Sequence, residues 1–221
     1  MQFLYYSILA VVSYFVGNIT FARMIAKAHK DDITKHGSGN PGTLNTWRSF
    51  GFWPGILTFL LDMIKGLLVT LVAYLTFEYL GCNREIALYV AGFSVVLGHI
   101  FPVIYKFKGG KGIATSVGVF CVANWWVGLI GVAVMIIGML FVKYASIFTI
   151  GFVIALSIVE ICLCNPMNWV NYIFISGILV LVLFAHRSNI KKLLTGKENK
   201  TELLKMLKGL GKKKETQTEV K

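Results

Sequence analysis

The 221-residue chain is short of acid, with 10 Asp and Glu against 22 Lys and Arg and a net charge of +12. It has no matching carboxylate cluster to hold a divalent cation, and its Cys and His residues lack the spacing of a zinc site. No segment repeats at a fixed period, so repeat architectures are set aside. No charged region precedes the first apolar run, Phe3 to Phe21; Arg23, Lys27 and Lys30 follow it instead. A cleaved signal peptide shows the reverse order, so this run is read as a retained spanning helix whose start lies outside. A nucleotide-binding P-loop is excluded as well, because Tyr105 stands where its first glycine belongs.

What the chain has in abundance is apolar sequence: 56% hydrophobic residues and a mean hydropathy of +0.70, well beyond an ordinary soluble domain. This is the composition of a polytopic membrane protein. Its basic excess need not mean nucleic acid, since cytoplasmic loops of membrane proteins collect Lys and Arg. Apolar runs at about 3–22, 53–77, 87–104, 145–163 and 168–186 are each long enough to cross a bilayer as a helix. Between them, Ile113 to Val142 is too long for one untilted span and is interrupted by Asn124-Trp125-Trp126.

Charge decides how to read that stretch. The loops carrying Arg23 to Arg48 and Lys106 to Lys111 fall on one side, and the stretch from Arg187 onward carries eleven of the 22 Lys and Arg. For all of them to be cytoplasmic, an even number of crossings must separate Lys111 from Arg187. Splitting the long stretch near Trp125 satisfies this and leaves Arg84 as the only cation outside. The expected fold is therefore all-α: a polytopic membrane helix bundle of about seven transmembrane helices, N-terminus outside and C-terminus cytoplasmic. The first half of the split is short, and must tilt or extend into the residues before it. Residues 1–198 are read as the transmembrane unit and 199–221 as a basic cytoplasmic tail. In that tail Leu203, Leu204, Met206, Leu207 and Leu210 fall near helical spacing opposite Lys205 and Lys208, the pattern of an amphipathic helix on an anionic leaflet. The four cysteines fall near outer helix ends and are read as small apolar residues rather than a bridge.

Three polar stretches face the cytoplasm in this topology: "HGSGNPGTLNTWR" (36–48), "FKGGKGIATSVG" (107–118) and "HRSNIKKLLTGKE" (186–198). Alone, each is a turn or a helix end. Together they are complementary. Glycines at 109, 110 and 112 can free backbone N–H groups into an anion-binding nest ahead of a helix starting near Ile113, whose dipole also favours negative charge. Arg48, Lys111 and His186 add cations or donors from separate segments, and the set suits phosphate. Gly39 to Gly42 is a second candidate cradle. Asp62 and Lys65, three apart inside a span, are read as an ion pair that orients the helix.

The motifs "GSGNPGTLN…R", "LDMIKG", "LGHIFPVIYKFKGGKGIATSVG" and "HRSNIKKLLTGKE", in this order, resemble the integral-membrane glycerol-3-phosphate acyltransferases that use acyl phosphate, the PlsY family. Thr43, Leu44, Lys106 and Ala185 depart from the usual pattern, and Ala185 removes one cation from the third motif. The resemblance implies a bacterial plasma-membrane enzyme with its active site on the cytoplasmic face. It would transfer a fatty acyl group from acyl phosphate to the 1-hydroxyl of glycerol 3-phosphate, giving lysophosphatidic acid and phosphate in phospholipid synthesis. No cofactor or metal is implied; the partners are the two substrates and membrane lipids, and the chain is expected to act as a monomer. Ser38, Arg48, Lys111 and His186 carry the site by resemblance, with Gly39, Asn40, Gly42, Asn45, Gly109, Gly110, Gly112, Thr115 and Asn189 completing the pocket. Acyl phosphate is already activated, so positioning and electrostatic stabilisation suffice and no acyl-serine is needed. Either His186 or the donor's own phosphate takes the proton. Trp47, Phe50, Phe52 and Trp53 are candidates for the rim of the acyl site. The competing reading is a transporter of a phosphorylated small molecule, which would also want a cationic, glycine-rich site, though usually near the midplane.

Overall fold

The computed structural model describes residues 1–201; the proposed amphipathic stretch around Leu203 to Leu210 lies outside the described residues. Ten α-helices make up the fold: α1 (Gln2–Gly17), α2 (Phe21–Ala28), α3 (Thr43–Phe50), α4 (Phe52–Tyr79), α5 (Arg84–Ile100), α6 (Ile113–Ala123), α7 (Trp125–Phe141), α8 (Ala145–Leu163), α9 (Trp169–Ala185) and α10 (Arg187–Leu194). The described residues are helical with no strand. Four segments are long and apolar enough to cross a membrane: Gln2–Ala28, Phe52–Tyr79, Arg84–Tyr105 and Ala145–Leu163. The pair α9 and α10, bent by 53°, makes a fifth.

The five apolar runs of the sequence become α1, α4, α5, α8 and α9, and the long stretch divides at Asn124, as its interruption suggests. At 11 residues, α6 rises about 17 Å, roughly half of a ~30 Å hydrocarbon core. It does not extend into the residues before it, because Gly112 caps it with a left-handed backbone (φ 84°) that ends the helical run. At the break, Asn124 ties the α6–α7 junction to its neighbours: its side-chain amide donates to Glu160 Oε2 of α8 at 2.9 Å, and Tyr89 of α5 donates to the same oxygen at 3.2 Å.

Helix direction follows from which ends meet. Tyr6, early in α1, donates to Asn83 O before α5, and Tyr14, late in α1, donates to Phe101 O after α5, so these two helices run parallel. The starts of α4, α6 and α8 and the ends of α5, α7 and α9 all contribute to one cavity. Alternating directions thus bring the loops on either side of these helices to a single end of the bundle, which we call the basic end.

Close packing of short α6 against α4 depends on glycine. A Cβ at Gly118 would lie 2.0 Å from Met63 O, and one at Gly66 would lie 2.3 Å from Thr115 O. Small residues at such seams let helix backbones approach where lipid offers no hydrophobic drive to associate. At the opposite end, Asn83 caps α5 by accepting from Glu85 N and Ile86 N at 3.0 and 3.1 Å, and Arg84 pairs with Glu78 across the turn.

Candidate active site

The loop before α3 is shaped by one buried side chain. Asn45 accepts from Ser38 N at 3.0 Å and donates to Ile33 O and His36 O at 3.1 and 3.0 Å. Its amide is thus spent on the loop. Ser38 is presented by this turn, and its Oγ accepts from Asn40 N at 3.4 Å. His36 is drawn away to Asp31, 2.9 Å from Nε2, and forms no pair with Ser38. Arg48, in the last turn of α3, is half-buried, and burial lowers its guanidinium from the usual range while Glu198 opposes the shift. An arginine remains charged through such a change.

The loop before α6 corrects the expectation of a nest built from three glycines. Gly109 N donates to Ile100 O and Gly110 N donates to His99 O, both at 3.1 Å, so these N–H groups are committed to the end of α5. Glycine is needed there for approach: a Cβ at Gly109 would lie 2.0 Å from His99 O. Among the described residues, the N–H groups of Lys111 and Gly112 make no backbone hydrogen bond, and they stand just ahead of α6. The part of the loop with uncommitted N–H groups is therefore Lys111 and Gly112. Lys111 itself is largely buried, and desolvation brings its ammonium down to about 8, helped by Arg48 and Lys192 and opposed by Glu198.

His186 sits at the bend between α9 and α10 and is buried. Nδ1 lies 2.8 Å from Val182 O, a pure acceptor, so in the neutral ring Nδ1 carries the hydrogen and Nε2 keeps its lone pair, 3.4 Å from Thr149 Oγ1. One turn on, Asn189 donates to Ser146 Oγ and to Glu198 Oε1, both at 2.9 Å, while Ser146 also donates to Glu198 at 2.8 Å.

Ser38, Asn40, Gly42, Asn45, Arg48, Lys111, Gly112, His186 and Asn189 all line one cavity of about 380 Å³. Besides these polar groups its lining is apolar, made by Trp47, Phe52, Ile56 and Phe59 together with Met135, Ile136, Met139 and Leu140 of α7. Of the proposed rim aromatics, Trp47 and Phe52 reach this lining; Trp53 is exposed and Phe50 instead packs on His29. Next to the cavity lies a second, polar recess of about 770 Å³, lined by Arg23, Lys106 and Lys108 and sharing Ser38, Asn40, Lys111, Asn189 and Lys192. Gly39 and Gly109 line only this recess. Thr115 lines neither; it packs against Gly66 on the seam with α4. The cavity also extends beyond the expected boundary at residue 198, because Asn199 and Thr201 form part of its wall.

Sequence reasoning passed over Glu198, His99, Ser146 and Lys192 as site residues. Glu198, His99 and Lys192 lie inside the quoted motifs, so their signal was present; Ser146 carries none.

Fold and cavity define an integral-membrane helix bundle with cationic and apolar side chains lining one cavity. The family model described as glycerol-3-phosphate acyltransferase matches residues 7–196. The chain belongs to this glycerol-3-phosphate acyltransferase family. A relative of that name from Finegoldia magna is 41% identical over 201 residues, covering 90% of this chain and 98% of the relative. One from Clostridioides difficile is 36% identical, covering 90% and 97%. The fold is similar to the crystal structure of PlsY (YgiH), an integral membrane glycerol 3-phosphate acyltransferase, in its glycerol 3-phosphate form. The TM-score is 0.80 at 34% identity, covering 91% of this chain and 98% of that one. A lysophosphatidic acid form of the same enzyme aligns with a TM-score of 0.78.

Proposed function

We propose that this chain is a seven-crossing enzyme of the bacterial plasma membrane whose basic end, with the C-terminus, faces the cytoplasm. It transfers a fatty acyl group from acyl phosphate to the 1-hydroxyl of glycerol 3-phosphate. The convergence of Ser38, Arg48, Lys111, His186 and Asn189 on a single cavity with an apolar wall carries this reading. A phosphate needs the cations, a long acyl chain needs the apolar channel between helices, and the reaction needs both within one site. The alternation of α1, α4, α5, α6, α7, α8 and α9 supports seven crossings, with short α6 sheltered by its neighbours.

In the proposed reaction the 1-hydroxyl oxygen attacks the acyl carbonyl carbon, a C–O ester bond forms, and the C–O bond to phosphate breaks. Arg48 offers its fork to one phosphate and Lys111 its compact charge to the other, offsetting the repulsion that would keep two anionic substrates apart. Ser38 and Asn189 orient glycerol 3-phosphate from the mouth, with Asn45 acting through the loop that presents Ser38. His186 Nε2 accepts a hydrogen bond from the attacking hydroxyl and holds it in line. The proton leaves on the departing phosphate, which gains basicity as its bond to carbon breaks. Because the leaving group is already activated, this positioning and charge stabilisation are sufficient catalysis.

A transport role is disfavoured by the placement of the polar groups, which collect at one end rather than midway along the helices. The deciding experiment uses purified protein in detergent with acyl phosphate and glycerol 3-phosphate, following phosphate release and lysophosphatidic acid. Equal amounts of both products, dependent on glycerol 3-phosphate, are expected. Phosphate release without acyl transfer would refute the assignment.

A further inference from the structure

Beneath the loop before α6 lies a buried charge cluster that the reaction above does not use. Lys65 Nζ is 2.8 Å from Asp62 Oδ1, 2.7 Å from Ile19 O, 2.8 Å from His99 Nδ1 and 3.4 Å from Gly17 O. An ammonium group has hydrogens to give and no lone pair to accept with. A hydrogen on His99 Nδ1 would therefore point directly at another donor. Nδ1 must be the acceptor, and the single proton of the neutral imidazole sits on Nε2. The carboxylate does not compete for the ring, since Asp62 Oδ1 lies 3.6 Å from Nδ1.

The ring also reaches the reaction cavity. His99 and Asp62 both line it, beside Lys111 and Gly112. A Cβ at Gly110 would lie 2.3 Å from Nε2 and 2.8 Å from the neighbouring ring carbon, so only glycine lets the loop pass this close to the Nε2 edge without displacing the ring. The loop is also fastened to the same residue, since Gly110 N donates to His99 O at 3.1 Å. Among the described residues Nε2 has no hydrogen-bond partner, whereas Nδ1 is held by Lys65. A ring needed only for packing would require neither the fixed tautomer nor an Nε2 left without a partner.

We propose that His99 is a further substrate-contacting residue, whose Nε2–H donates to a phosphoryl oxygen held against the loop at Lys111 and Gly112. Lys65 is its positioning residue, with Asp62 balancing the charge. This rests on the proposed function for its ligand. Two phosphoryl groups share the chemistry, that of glycerol 3-phosphate and that of the acyl donor, and the test separates them.

The full chain in detergent, labelled with nitrogen-15 histidine, contains four histidines. His99→Gln identifies the His99 signals by their loss, with His29, His36 and His186 variants giving the same assignment by elimination should that variant fail to fold. The free protein is expected to show His99 protonated at Nε2 and bare at Nδ1. The Nε2–H signal is expected to shift on adding either glycerol 3-phosphate or a non-hydrolysable acyl phosphonate, and whichever moves it identifies the accepting phosphate. In turnover, His99→Phe should lower kcat/KM by ~10- to 100-fold, the scale of one lost hydrogen bond to a charged group. His99→Gln, whose amide can donate from a similar place, should lose less. A protonated Nδ1, or an Nε2 signal unmoved by both ligands, overturns the inference. Wild-type turnover is measured on the same preparation and alone decides the proposed function.

Discussion

Arg48 Nη2 donates to Thr201 Oγ1 at 3.1 Å, so the guanidinium of α3 is held at one corner by a residue 153 positions later in the chain. Thr201 is itself anchored: its N–H donates to Lys143 O at 2.7 Å. The arginine fork thus enters the cavity with its orientation already set, which reduces what a phosphate must spend to order it. Replacing it with lysine keeps the charge and discards the fork. Arg48→Lys is expected to lower kcat/KM by ~10- to 100-fold, and Thr201→Val to have a smaller effect seen in KM, both measured by phosphate release. Near-normal rates in Arg48→Lys would show that the fork is not used.

Lys111 makes the rate depend on pH. Its ammonium titrates at about 8, lowered mainly by burial. It is charged below that pH and neutral above it. If the charge holds a phosphate, kcat/KM should fall roughly tenfold per unit once the pH passes about 8. On the acid side, the rate should fall where phosphate monoesters lose their second charge, near ~6. Arginine stays charged far beyond this range, so Lys111→Arg should move the alkaline limb upward whatever it does to the maximum. An unmoved limb would assign it to another group.

Much of this arrangement could be read before folding, for physical reasons. Spans reveal themselves because each must supply about 20 apolar residues, and the split at Asn124 because polar residues there interrupt such a run. The Asp62–Lys65 pair was legible because i, i+3 spacing on a helix brings side chains together without knowledge of the rest. What could not be read is the approach of one segment to another. Nothing local says that Gly109 and Gly110 lie on the end of α5 with their N–H groups committed, that Thr115 turns to α4, or that Glu198 gathers Ser146 and Asn189. Each depends on helices meeting at angles that the motif residues do not encode.

The buried Asp62–Lys65 pair should be more sensitive to losing one partner than both. Both side chains are almost wholly enclosed and 2.8 Å apart. Asp62→Leu alone strands an ammonium, and a broken buried pair costs about 3–5 kcal/mol. The double variant Asp62→Leu/Lys65→Met removes both charges and should unfold in detergent at a higher temperature than either single variant. Additive losses would mean that the two charges are independently solvated.

The α4–α6 seam should not tolerate even one methyl group. A Cβ at Gly118 would lie 2.0 Å from Met63 O, a backbone atom that cannot swing aside. Gly118→Ala must push the short helix off α4, and overpacking of this kind costs about 1–3 kcal/mol. Because α6 begins beside Lys111, the shift should also reduce turnover. The expected outcome is a lower unfolding temperature together with a raised KM for glycerol 3-phosphate, whereas Gly151→Ala, with nothing within 4 Å of its Cβ, should leave both unchanged.

The apolar wall should set how much of the acyl chain is bound. Ile56 and Phe59 of α4 and Met135, Ile136 and Met139 of α7 all line the cavity. An indole at position 56 would fill space that a long chain needs. Each methylene excluded from burial forfeits about 0.8 kcal/mol, roughly a fourfold loss in kcat/KM. Ile56→Trp should therefore cut the rate with long-chain acyl phosphates steeply while sparing short ones, so that the ratio between them changes more than either absolute rate. Leu68, exposed on the same helix, serves as the contrast: Leu68→Trp adds the same bulk toward the membrane and should leave the ratio where it was. If both substitutions shift the ratio equally, the chain does not lie between α4 and α7.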